Sequence, residues 1–246
     1  MGRTKIEWAE RTWSVISGCS KVSEACLNCY AETMTRRLAA MPCAKEKYKN
    51  GFEVTLHPEE LNAPYRWTKP SRVFVCSMSD LFHEKVPIDY ILKVMKVIRE
   101  NPRHTFQILT KRAQRMCSFF NMYKVPENAW IGVTCESSLH YDRVDYLRHI
   151  PQDCIKFLSC EPLLGDMSDI DLTDIDWVIC GGESGVRARK VPVEWFGNLR
   201  DVCVNNDVPF FFKQWGAWGQ DGIKRNKLEN GSLLDGREWK EYPRKV

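Results

Sequence analysis

No stretch of this 246-residue chain approaches the roughly 18–20 uninterrupted apolar residues that span a bilayer, which excludes a membrane-spanning helix. The N-terminal segment MGRTKIEWAE lacks the apolar core of a secretory signal peptide, so the expected location is the cytoplasm. Low-complexity tracts and sequence-level repeats are absent as well, and a repeat array is excluded with them. A strong excess of either charge is also missing. The formal balance is only +4, and its basic residues are scattered. Such a balance permits nucleic-acid binding without arguing for it, because a nucleic-acid footprint depends on clustered charge. The densest basic group is Lys224, Arg225 and Lys227, read as solvated surface. An odd count of 11 cysteines, without a signal peptide, excludes a disulfide framework and points to reduced thiols or metal ligands.

What is present begins with six short apolar runs, at residues 73–76, 106–109, 130–133, 155–158, 177–180 and 209–212. Each has strand length and is rich in β-branched or aromatic residues, as buried parallel strands require. Amphipathic patterns alternate with them: Ile88, Ile91, Leu92, Met95 and Ile98, ending at Asn101-Pro102; Tyr141, Val144, Leu147 and Ile150; and Trp195 or Phe196, Leu199, Val202 and Cys203. An earlier strand is expected through 13–17, and one more near 52–56. Alternating strands and helices make parallel βαβ units. The expected fold is therefore α/β, a partial (β/α) barrel of about six to seven parallel strands. It should occupy residues 1–218, with 41–70 as a possible insertion. Residues 219–246 form a polar C-terminal extension, a short hairpin or lid marked by the turn pairs Asn230-Gly231 and Asp235-Gly236.

Residues just past the C-terminal ends of barrel strands line the active site in such folds. Here those positions read Ser77-Met78-Ser79-Asp80, Thr110-Lys111-Arg112, Thr134-Cys135-Glu136, Ser159-Cys160-Glu161-Pro162, Gly181-Gly182-Glu183-Ser184-Gly185 and Lys213-Gln214-Trp215. Polar, chemically capable groups at all six ends point to an enzyme. Eight of the cysteines are dispersed. The other three, Cys19, Cys26 and Cys29, form a C-x6-C-x2-C group directly after the first strand. Three thiolates without an obvious fourth ligand suit an iron–sulfur cluster with one open iron. Structural zinc, with His57 or Cys43 as fourth ligand, is the alternative.

The three-cysteine loop (residues 18–32), with Thr4-Lys5-Ile6-Glu7-Trp8, Thr12-Trp13, the strand-end segments 77–83, 109–112, 157–163, 181–185 and 211–216, and the Leu234-Asp235-Gly236 turn, resembles a phage- and prophage-associated family of radical-SAM-like proteins. That family is distantly similar to spore photoproduct lyase. The superfamily's usual spacing is C-x3-C-x2-C, and the first gap here is longer. The resemblance implies a [4Fe–4S] cluster on Cys19, Cys26 and Cys29, and S-adenosyl-L-methionine (SAM) bound at its open iron. It implies cleavage of SAM to a 5′-deoxyadenosyl radical, with the radical acting on a nucleotide or nucleic acid. A hypermodified pyrimidine in phage DNA, undergoing isomerisation or carbon–carbon cleavage, is the expected substrate. An electron donor of flavodoxin or ferredoxin type and the host-cell cytoplasm as location are implied too.

On that reading Ser77, Ser79 and Asp80 contact the SAM amino group, although Ser and Asp there would serve equally as helix caps. Thr134 and Glu136 hold the ribose hydroxyls, and Lys111 or Arg112 pairs with a carboxylate or phosphate, since adjacent residues cannot both point inward. Tyr30 packs against the adenine or the cluster. Glu161, Glu183 and Lys213 are the expected catalytic groups. Trp215 and Trp218 either stack on a base or pack as core, and His83 and Glu84 are candidate bases. Two competing functions are a radical SAM enzyme acting on a peptide or small metabolite, and a non-catalytic zinc-containing nucleic-acid-binding module.

Overall fold

A computed structural model describes residues 4–244. In chain order the elements are β1 (Arg11–Trp13), β2 (Ile16–Ser17), α1 (Tyr30–Ala39), β3 (Thr55–Leu56), β4 (Arg72–Val75), α2 (Ile88–Arg99), β5 (Thr105–Thr110), α3 (Ala113–Met122), β6 (Ala129–Thr134), α4 (Tyr141–Arg148), β7 (Lys156–Cys160), β8 (Trp177–Gly181), α5 (Glu194–Asn205), β9 (Phe210–Gln214), α6 (Lys227–Asn230), β10 (Leu233–Leu234) and β11 (Arg237–Glu238). Seven strands form a parallel sheet in the order β1-β4-β5-β6-β7-β8-β9, the strand order of a partial β/α barrel. Among the described residues no helix is long and apolar enough to cross a membrane. The chain divides into two compact units, residues 1–131 with 151–154, and residues 132–150 with 155–246.

In the first unit the sheet is built on apolar runs buried on both faces, as in Val73 and Val75 on one face of β4 and Phe74 on the other. α2 presents Ile91, Val94, Met95 and Ile98 at helical spacing, and all four are buried. Asn101 ends that helix by donating from Nδ2 to the Val97 carbonyl at 2.8 Å, and Pro102 prevents its continuation. The expected strand through 13–17 is corrected. Only Arg11–Trp13 joins the parallel sheet, and Ile16–Ser17 turns away to pair antiparallel with Thr55–Leu56. The break falls at Ser14-Val15 because the Val15 carbonyl accepts from the His57 amide at 2.8 Å and the Tyr90 hydroxyl at 2.9 Å. A strand neighbour is thereby replaced.

Residues 41–70 belong to this unit and close around β1. Trp13 Nε1 donates to the Glu60 carbonyl at 2.8 Å, and the half-buried pair Lys47–Glu60, also 2.8 Å, adds a bond from Lys47 Nζ to the Ser14 carbonyl. At the opposite end of β5, His104 is 1% exposed and meets Trp67 and Phe106 edge-on. Burial pushes its pKa below the ordinary 6.5.

The second unit repeats the logic with β7, β8 and β9. Phe157 lies so close to Gly132 that a Cβ there would come within 2.6 Å of the ring. Lys156, 9% exposed, donates from Nζ to the Arg148 and Ile150 carbonyls at 3.1 and 3.0 Å, a cation satisfying the C-terminal end of α4. The C-terminal segment packs here: Trp177 Nε1 donates to the Glu241 carbonyl at 2.8 Å, and Phe212 N to the Trp239 carbonyl at 2.8 Å. β10 and β11 form a two-residue hairpin over Asp235 and Gly236, both at positive φ (52° and 77°), as its turn geometry requires.

His104 supplies a pH prediction. Its folded pKa lies below its unfolded value, so its contribution to stability is complete above about pH 6.5 and is lost as pH falls below it. The melting temperature of the protein should therefore fall more between about pH 7 and about pH 5 than that of His104→Phe. Equal falls would place the acid sensitivity elsewhere.

Candidate functional site

Gly18 starts the cysteine loop. It sits at φ +78°, and a Cβ on it would lie 2.1 Å from the Glu53 carbonyl oxygen, so only glycine fits. The Cys19 amide then donates to the Phe52 carbonyl at 3.1 Å. Cys26 ends a single 3-10 turn (Glu24–Cys26), and Cys29 is the N-cap residue of α1. All three thiols are free and partly exposed, whereas six of the other eight are buried in the core.

Arg112 organises the loop. It is 7% exposed and its five N–H donors are matched by five acceptor groups. Nε bonds the Glu84 carboxylate at 2.9 and 3.0 Å. Nη1 reaches Asp80 Oδ2 at 3.2 Å and Cys19 Sγ at 3.5 Å, and Nη2 reaches Ser20 O at 3.3 Å and Ser20 Oγ at 2.9 Å. It is also the N-cap residue of α3, where a cation opposes the helix dipole, and the two carboxylates offset that. Asp80 in turn accepts from Phe82 N (2.9 Å), Thr110 Oγ1 (2.7 Å) and Lys111 N (3.2 Å). His83 Nδ1 accepts from Lys85 N at 3.1 Å, so Nε2 carries the proton and donates to Ser20 Oγ at 2.8 Å. Burial, and next the Arg112 charge, lower the His83 pKa and keep the ring neutral. The Cys19 thiol is pushed up to about 11, first by burial and then by Asp80, with Arg112 opposing. A metal must displace its proton.

These contacts sort the sequence expectations for the first unit. Of the adjacent pair, Arg112 turns into the cysteine loop. Lys111 contributes its backbone amide, and its side chain is half-buried. Asp80 is a holding group with both oxygens occupied, the capping alternative rather than a free ligand for an amino group. Ser79 Oγ donates to the Ile16 carbonyl at 2.7 Å and ties the loop to the end of β4. Tyr30 is exposed and donates its hydroxyl to the Ser77 carbonyl. Glu84 and His83 are held by Arg112 and Ser20 and do not stand as free bases. For the zinc alternative, both nitrogens of His57 are taken, Nε2 by Ser17 Oγ at 2.8 Å and Nδ1 by Glu59 at 3.1 Å, which leaves the free, exposed Cys43 as its fourth-ligand candidate. Ser20 went unmarked in the sequence, where nothing separates it from other hydroxyls, whereas Thr110 stood in the strand-end set.

In the second unit Glu136 is 0% exposed and pairs with Arg143 at 2.8 Å, which also donates to the Thr134 carbonyl at 2.9 Å. The Glu136 carboxylate, expected to hold ribose hydroxyls, here ties β6 to α4. Glu183 is likewise engaged: its Oε2 accepts Arg189 N at 2.7 Å and Nε at 2.9 Å, and Oε1 pairs with Nη2. Gly182 belongs to this close packing, since a Cβ there would lie 1.9 Å from the Trp215 carbonyl oxygen. Glu161 and Lys213 differ. They form a 2.9 Å pair at the ends of β7 and β9 with side chains 13% and 23% exposed, and Ser159 Oγ stands 3.4 Å from Glu161. Beside them Gln214 Oε1 is buried with no hydrogen-bond partner among the described residues. Trp215 is core, packed on Phe196 and Phe212.

A model of the family described as "Protein of unknown function (DUF5131)" matches residues 3–243, and the chain belongs to that family. No curated protein and no solved structure matches it.

Removing Arg112 leaves the buried Asp80 carboxylate without its cation. Arg112→Gln should lower the unfolding free energy by about 3 kcal/mol, while Lys111→Ala should stay within about 0.5 kcal/mol of the parent. Urea titration of both variants measures this, and equal losses would contradict the central role of Arg112.

Proposed function

We propose that the protein is a radical SAM enzyme that binds a [4Fe–4S] cluster through Cys19, Cys26 and Cys29 and acts on a nucleotide or nucleic acid. The observation that carries the reading is the loop itself: three free, partly exposed thiols, one fixed by a buried arginine and one at a helix N-terminus. The donor set fits the group, because three cysteines with His57 otherwise engaged leave a coordination position for a small molecule. Bound there, the cluster would supply one-electron cleavage of SAM.

The chain's own contribution is placement and shielding. Gly18 and the Phe52 carbonyl set the path of Cys19, and Arg112 donates to its sulfur, a contact of the kind that orients a ligand and tunes a metal centre. Tyr30 and Ser77, joined through the Tyr30 hydroxyl and the Ser77 carbonyl, would offer an aromatic ring to the adenine and a hydroxyl to the SAM amino group. Lys213 and Glu161, already hydrogen-bonded and partly exposed, are the pair able to orient a substrate hydroxyl or exchange a proton with it. A nucleotide is favoured as substrate by the family resemblance carried by residues 18–32, 77–83 and 157–163.

Anaerobic reconstitution with iron and sulfide tests the reading. The protein should take up about four irons per chain, absorb broadly near 400 nm, and give a low-temperature EPR signal that SAM perturbs, because direct coordination alters the cluster. Cys29→Ala should lose the signal while keeping the fold by circular dichroism. Zinc at one equivalent without sulfide, or a cluster indifferent to SAM, would overturn the proposal.

A further inference from the structure

The second unit carries a basic surface that takes no part in the strand-end chemistry. Trp218 pairs backbone to backbone with Lys224 across a tight turn and donates Nε1 to the Ala188 carbonyl at 2.9 Å. This draws residues 186–190 and 218–228 together. Two ammonium groups stand against the Trp218 ring, Lys190 Nζ at 5.4 Å and Lys224 Nζ at 5.2 Å from its centroid. Both are held by carbonyls, Lys190 by Gly222 at 3.2 Å and Lys224 by Val186 at 2.6 Å. Gly222 is at φ +70°, a conformation that favours glycine in this turn.

The exposed Glu229 acts on Arg225, and two further carboxylates nearby are matched. Asp221 forms a two-bond pair with Arg225, at 2.9 and 2.6 Å, and Glu183 is held by Arg189. Neither lysine has a carboxylate partner among the described residues. The result is a fixed pair of ammoniums on an aromatic ring, with Lys227 and Arg187 exposed nearby. Around it lie the exposed apolar side chains of Val186 (90%), Ile223 (53%) and Leu228 (82%).

We infer that this surface docks the backbone of single-stranded nucleic acid, with Lys190 and Lys224 on phosphates and Trp218 with its apolar neighbours against sugar or base. Pre-positioned ammoniums beside an aromatic face are the combination that non-sequence-specific single-strand binders use. The inference deepens the proposed function by making the substrate a polymer, and rests on that reading only for what the docked strand is brought to. Its geometry lies wholly in the second unit and needs no cluster.

The test is fluorescence anisotropy with the full chain and a labelled 20-nucleotide oligothymidylate, titrated at several salt concentrations. The protein should bind with a steep salt dependence. The double variant Lys190→Ala/Lys224→Ala should weaken binding at least about tenfold and flatten the log–log salt slope by about 1.4, twice the ~0.7 expected per single-strand phosphate. Lys93→Ala, a surface change in the first unit, should leave both unchanged. Trp218→Leu should weaken binding with the salt slope retained, because stacking is not a counterion effect. The inference is overturned if the parent fails to bind at low salt, if the double variant matches it, or if the surface captures vesicles of mixed phosphatidylserine and phosphatidylcholine while ignoring the oligonucleotide. Binding is read without iron, sulfide or turnover, so a failed reconstitution and a failed binding test are separate results.

Discussion

A buried guanidinium with every N–H matched is the constraint on which the cysteine site depends. Arg112 stands at the start of α3, where its charge is unfavourable, and is stable there only because Asp80 and Glu84 face it. Neutralising those carboxylates leaves Nη1 and Nη2 to grip Cys19 and Ser20, so the helix, the end of β4 and the loop after β2 are locked by one side chain. A lysine has no planar fork and cannot hold five acceptors at once. The charge pattern also bears on what the loop binds. Burial, and next the Asp80 carboxylate, hold the Cys19 proton tightly in the free protein, with Arg112 opposing. A cationic centre reverses that preference.

The loop's path is set from a second direction. Residues 41–70 bring Phe52 and Glu53 so close that residue 18 has no room for a side chain, and the same segment buries the Lys47–Glu60 pair beside β1. Its hydrogen bonds to Ser14 and Trp13 explain its place in the first unit. In chain order the segment looks inserted; in space it forms one wall of the cysteine loop.

Much of the fold was legible because parallel strands buried on both faces must be written in apolar residues. The six runs from residue 73 onward match β4 to β9 within a few residues, and the stripe of α2 stops where Asn101-Pro102 says it should. The first strand was misdrawn because Val15 looks like a strand residue, while its carbonyl is claimed by partners far along the chain. At the candidate site, residue positions were legible and partnerships were not. Asp80, Glu136 and Glu183 do follow strands, as expected of active-site groups, yet each is met by an arginine whose approach depends on tertiary packing. The Trp218 surface was hidden for the same reason. Lys190 lies far in sequence from Lys224, and the latter reads as ordinary solvated charge until the turn at Gly222 folds.

Arginine and lysine divide the electrostatic work between them. Arg112, Arg143, Arg189 and Arg225 are each fixed on carboxylates, Asp80 with Glu84, Glu136, Glu183 and Asp221 in turn. Their planar, multi-donor heads suit permanent internal ties. The lysines differ. Lys156 caps a helix from within, but Lys190 and Lys224 rest on carbonyls with donors left over, and Lys213 meets Glu161 where water still reaches both. A point charge on a flexible stem can leave such a resting place for a phosphate or a carboxylate more easily than a saturated guanidinium can. Subtracting the arginine-bound carboxylates from the strand-end inventory leaves Glu161 with Lys213 as its ion pair, while the loop cysteines and the two lysines on Trp218 stand outside that inventory. No carboxylate held by an arginine is among these groups, so none already committed to folding has to serve twice.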